Sequence, residues 1–171
     1  MKKLIILSCL LLGINSYSQT VEEIKYREQL KASIQDEQYG ADMKEIVKFS
    51  LSEDNLYEIY YNNNFIGKIG SVQNSRETCS LSDVDFEKWA QKNLDKTKFS
   101  SVKEAVEMFT NYRKYTKQNE QRHREINLKL EKYKEKYGLV IDQEFRTALA
   151  SAEMNAYNKF FLNENNLTNI Q

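Results

Sequence analysis

Residues 43–72, MKEIVKFSLSEDNLYEIYYNNNFIGKIGSV, decide how this chain is read. Val47, Phe49 and Leu51 alternate with Lys48 and Ser50, and Tyr57, Ile59 and Tyr61 alternate with Glu58 and Tyr60. A period of two is the pattern of a half-buried strand. It predicts strands over 43–51, 55–61 and 65–72. With Asn62-Asn63-Asn64 as a three-residue turn, Tyr61 faces Phe65, Ile59 faces Gly67 and Tyr57 faces Ile69, while Glu58 meets Lys68 on the other side. A two-residue turn sets Ile59 against Lys68 and loses that register. A turn at Ser52-Glu53-Asp54 pairs Phe49 with Tyr57 and Val47 with Ile59. The expectation is a three-stranded antiparallel meander, extended to a fourth strand by Thr78 to Leu81.

Downstream of the meander the pattern changes to helix. Ser82 and Asp85 form a capping box ahead of Phe86, Trp89, Ala90 and Leu94, and Ser101 with Glu104 forms a second. From there Val102, Val106, Phe109, Tyr112, Thr116, Asn119, His123, Ile126, Leu130, Tyr133 and Tyr137 recur at spacings of three and four. Gly138 suits a helix C-cap. Asp142 suits the start of a last helix, 142–162, bearing Phe145, Leu149, Ala152, Ala156 and Phe160. The two helices, 101–137 and 142–162, should form an antiparallel hairpin. A helix over 102–137 is about 54 Å long, against roughly 30–35 Å for a globule of this size. It must either project beyond the sheet or break near Lys114 to Asn119. Upstream, Val21, Ile24 and Ile34 predict a thinly striped helix over 20–37. The Asn-rich end, 163–171, reads as a frayed tail. The fold class expected is α+β, with the β-region at 43–81 and the helical part at 83–162.

The first residues carry an address. Lys2 and Lys3 precede an apolar run from Leu4 to Ile14, and small residues stand at Ser16 and Ser18 before Gln19. That is the layout of a secretory signal peptide, too short to span a membrane. Residues 1–18 are expected to be removed, leaving 19–171 as one domain in the periplasm, on the envelope or secreted, with no membrane insertion afterwards. Ile6-Leu7-Ser8-Cys9 resembles a lipobox, but the apolar run continues past the cysteine.

Composition excludes several functions. The chain balances 25 basic against 25 acidic residues, with the signs interleaved. It has no basic footprint, so no nucleic-acid partner is expected. Proline is absent, which argues against a stiff linker. Once Cys9 leaves with the leader, Cys79 has no intramolecular partner. His123 is the single histidine, and with one His and one Cys a structural zinc site lacks its ligands. No calcium loop, phosphate loop or nucleophile elbow occurs. No cofactor, metal or catalytic residue is therefore assigned.

What remains is a surface. Tyr60 and Ile66 pair on the outer face of the expected sheet next to Leu56, and the patch Leu56, Tyr60 and Ile66 is the candidate partner site. The reading is an exported, non-catalytic protein-binding domain with an inhibitory, neutralising or assembly role, and with self-association open to it. One alternative is a small exported hydrolase using scattered carboxylates or Cys79. Another is a helical structural or chaperone-like envelope protein.

Overall fold

The computed structural model describes residues 20–168, with side chains to Phe161. The expected signal peptide at 1–18 and the last three residues of the expected tail lie outside them. The described chain is helical throughout: α1 (Val21–Gln35), α2 (Glu37–Ser50), α3 (Glu53–Lys68), α4 (Val72–Thr78), α5 (Asp83–Asn93), a 3-10 turn (Leu94–Lys96), α6 (Val102–Tyr137) and α7 (Leu139–Thr168). No strand occurs among the described residues, so the expected α+β class and its meander are corrected to all-α.

The reason lies in the caps and in a second periodicity. Ser52-Glu53-Asp54, expected as a hairpin turn, is a helix start. The Ser52 side chain accepts from the Asn55 N–H at 3.4 Å, and Glu53 and Asp54 lie in the first turn, at the positive end of the helix dipole. Asp36 and Ser71 cap α2 and α4 in the same way. The triple asparagine, expected as a second turn, is helix interior, with Asn64 Nδ2 donating to the Tyr60 carbonyl at 2.8 Å. In α2 the buried side chains are Asp42, Met43, Ile46 and Ser50, and Phe65 of α3 and Ile69 at its C-cap are buried one turn apart. Those spacings of three and four bury a helix face, whereas Leu51, at the end of the alternating set, is exposed.

α6 is unbroken over 36 residues, about 54 Å, and every other part of the fold is arranged along it. Two separate cores form on it. In the first, Met43 and Ile46 of α2 pack on Ile126, Leu130, Tyr133 and Tyr137 of α6 and on Ile141 of α7, with Leu30, Phe145 and Leu149 at the margin. In the second, Phe65 of α3, Ile69 at its C-cap, and Phe86 and Ala90 of α5 pack on Ala105 and Phe109 at the other end of α6. Phe86 and Phe109 stack with centroids 3.9 Å apart. Ser82 and Ser101 cap α5 and α6 at the expected places. Glu104 accepts from the Ser100 N–H at 2.7 Å and from Lys68 at the end of α3.

Two glycines set the turns. Gly138 alone separates α6 from α7, at a φ of 92°, which favours glycine. The chain reverses there, so Arg146 of α7 pairs with Glu131 of α6. α7 begins at Leu139, ahead of the expected Asp142, which instead accepts from Arg146 Nε at 2.8 Å inside the first turns. Gly70 ends α3 at a φ of 94°, and a side chain there would overlap the Lys96 carbonyl. That carbonyl belongs to the segment that docks α3 through the Lys98 N–H to Lys68 carbonyl bond of 2.7 Å.

The Gly70 turn and the Lys68–Glu104 pair each make a measurable contribution to stability. Gly70→Ala should cost about 3 kcal/mol, combining the positive φ with the overlap at Lys96. A shift in the urea midpoint without a change in slope checks it; an unchanged midpoint removes the argument. The second concerns acid. The Lys68 ammonium, followed by the Ser100 donors, holds the Glu104 carboxyl down at about 2. A depressed carboxylate stabilises the fold above its ordinary pKa, and the contribution is lost as pH falls through the folded value. Stability should therefore drop between pH 4.5 and about 2. Lys68→Ala should flatten that drop, read from denaturation midpoints at each pH.

Candidate partner-binding surface

Between the two cores α6 turns a polar and aromatic segment towards α3 and α7. α3 supplies Tyr57, Tyr60 and Tyr61, and α7 supplies Tyr157, Phe160 and Phe161. Both triplets have the spacing i, i+3, i+4, which puts three rings on one helix face. The two faces meet, with Tyr115 of α6 beside them. Phe161 stacks on Tyr60 at 4.6 Å, and Phe160 meets Tyr57 edge-on at 5.5 Å. Tyr115 lies parallel to Tyr61 at 5.5 Å and to Tyr57 at 5.4 Å, with Lys114 Nζ 4.9 Å from the Tyr115 centroid.

These rings differ in burial from those at the centres of the two cores. Phe65, Phe86 and Phe109 are at most 1% exposed, whereas every ring of this waist is only half-buried. Partial burial raises the phenol pKa of Tyr61 and of Tyr157 above the ordinary value, and neighbouring phenols add to it. Both hydroxyls stay protonated at neutral pH and keep a donor as well as acceptors at the rim. The cluster is thus apolar in body and hydrogen-bonding at its edge.

A polar layer fixes the waist from beneath. Asn119 of α6 is 3% exposed, and its amide donates to the Asp54 carbonyl at 3.2 Å and to Glu58 Oε2 at 2.7 Å. Glu58 Oε2 also pairs with His123 Nε2 at 2.8 Å, and the His123 ring lies edge-on to Phe49 of α2 at 5.2 Å. Asn55, likewise buried, donates to the Ser50 carbonyl at 2.7 Å and to Glu153 of α7 at 3.0 Å. One turn of α3 is thereby tied to α2, α6 and α7.

The expected patch does not assemble. Leu56 is core, 3% exposed. Tyr60 is half-buried against Phe161, and Ile66 is 48% exposed beside α4. On a helix Tyr60 and Ile66 point about 120° apart, so the sheet face that would have united them does not exist. Tyr60 belongs to the waist with different neighbours. The sequence did carry the signal: Tyr57, Tyr60 and Tyr61 share their spacing with Tyr157, Phe160 and Phe161, a match that a strand reading of 55–61 conceals.

Nor do the residues considered for catalysis come together. Cys79 is exposed, bonded through its thiol to the Arg76 carbonyl, and lines an open cavity of about 410 Å³ with Asp83, Arg113, Thr116, Lys117 and Glu120. His123 does not line that cavity; Glu58 holds it at the waist. Trp89 is half-buried, packs on Phe86 at the margin of the second core and donates to Glu77 at 3.3 Å. Among the described residues no three His, Cys, Asp or Glu side chains gather as metal ligands, and no helix is long and apolar enough to cross a membrane.

Asn119→Ala should cost about 1–3 kcal/mol, because it strips the buried layer of the amide that serves Glu58 and the Asp54 carbonyl. Thermal or urea unfolding checks this, and a neutral outcome would remove the layer's role in seating α3 on α6. No protein-family model matches the chain, and neither the curated proteins nor the solved structures contain a match to it.

Proposed function

We propose that the chain is an exported, non-catalytic protein-binding domain of the periplasm or envelope, and that the aromatic waist is its binding surface. The observation that carries this reading is the cluster of half-buried rings around Tyr57, Tyr60, Tyr61 and Tyr115, set against the buried Tyr133 and Tyr137 of the first core and the fully buried Phe65, Phe86 and Phe109 of the second. Tyrosines of this kind dominate protein interfaces, because they remove much area from water at little conformational cost. Export is supported by the leader pattern of residues 1–18. Among inhibitory, neutralising and assembly roles, the unbroken α6 favours assembly, since a rigid rod with an apolar core at each end fixes a spacing. The same observation supports the structural or chaperone-like alternative.

The test is a pull-down from the native cell envelope with the chain from Gln19 as bait, read by mass spectrometry and repeated with Tyr60→Ala. One stoichiometric partner is expected, weakened about thirtyfold or more by the substitution while the helical circular dichroism is retained. No partner above background, or one indifferent to Tyr60, would sink the proposal.

A further inference from the structure

α7 changes character along its length. In its first turns Ile141 is buried and Phe145 and Leu149 pack into the first core. From residue 150 to 161 no side chain is buried, and Ser151, Met154, Asn155, Asn158 and Lys159 are exposed. Among the described residues, two kinds of contact hold this half to α3: the rings of Phe160 and Phe161, the latter backed by Tyr157 of the same helix at 4.8 Å, and the Glu153 to Asn55 hydrogen bond of 3.0 Å. Segments with few buried apolar contacts open at lower free energy than the core they border. This segment lies across the rings that form the waist.

Its side chains also show what fits there. Phe161 lies flat on Tyr60 while Phe160 stands edge-on to Tyr57, so the α3 face accepts one stacked and one perpendicular ring from consecutive positions of a helix. An incoming helix with aromatic residues at i, i+3 and i+4 would reproduce both contacts, a helix-in-groove mode. We propose that residues 150–161 are a displaceable strap, and that the partner presents a helix bearing the same aromatic triplet, which replaces the strap on Tyr57, Tyr60 and Tyr61. This rests on the waist being the binding surface. The strap competes from within the chain at high effective concentration, so the partner's apparent affinity falls by the fraction of time the face is covered. A weak apolar ligand is thereby excluded, and a helix with the full triplet is not.

The probe is a fluorescein-labelled peptide of residues 150–168, titrated by anisotropy into the purified chain and into the F160A/F161A double variant. The peptide is expected to bind the double variant about tenfold or more tightly than the wild type. That gain should vanish when Tyr60→Ala is added, or when the peptide carries alanine at positions 157, 160 and 161. Equal affinity for the two proteins, or no binding to a double variant that keeps its helical spectrum, overturns the strap. If the double variant does not fold, Glu153→Ala releases the polar tie alone, and its affinity should lie above that of the wild type. A partner captured from the envelope and lost with Tyr60→Ala, together with no peptide binding, overturns the strap and leaves the binding surface. Peptide binding as expected with no captured partner supports the strap and overturns the proposed function.

Discussion

The constraint on which the rest depends is the length of α6. A straight helix of about 54 Å cannot be buried by one core in a chain of this size. The stripe along it is apolar at Phe109, polar at Thr116, Asn119 and His123, and apolar again from Ile126 to Tyr137. Each apolar stretch gathers its own helices: α3 and α5 at one end, α1, α2 and α7 at the other. α3 bridges the interval, because its Phe65 lies in one core while Asn55 and Glu58 reach the elements around the other. The polar layer is thus the joint between two small cores. Its donors and acceptors are matched, with no buried side-chain polar atom left unpaired among the described residues.

The aromatic waist sits on that joint, which explains its half-buried state. The first core is closed by Met43, Ile46, Ile126, Leu130, Tyr133, Tyr137 and Ile141 and the second chiefly by phenylalanines, and the interval between them is spanned largely by tyrosines whose hydroxyls tolerate water. Phe160 and Phe161 bring α7 over this interval although its earlier turns are already committed to the first core. The structural and the proposed binding roles of the tyrosines are therefore not separable by position. They differ in degree of burial.

Much of the helical half of the chain was legible. The stripe from Val102 to Tyr137, the Ser82 and Ser101 caps and the stop at Gly138 follow from spacing and from cap chemistry, and the structure places each there. The helix expected over 20–37 is present as α1, but the stretch 43–81 was misread because short helices with aromatic and β-branched residues satisfy two periods at once. Val47 and Phe49 alternate with polar neighbours, yet the buried face runs through Met43, Ile46 and Ser50. The decisive residues were small ones: Asp36, Ser52 and Ser71, each three positions ahead of the N–H it caps. Serine and asparagine serve turns and helix starts alike, and only tertiary packing chose between them. The candidate patch failed for the same reason, since its geometry was borrowed from a sheet. Tyr60 survives in the waist because a tyrosine can serve either surface.

The single-residue link at Gly138 also bears on how the chain acquires its shape. It makes the α6–α7 pairing almost wholly local in sequence, whereas the first core awaits α1 and α2 from about a hundred residues away, as the Asp36 to Tyr137 bond records. Local pairings close with little loop entropy and form early. The long hairpin can therefore stand as a template on which the amino-terminal helices fold last. Synthesis delivers the amino end first, so the helices made earliest are the ones that must wait for the carboxyl end before they have anything to pack against.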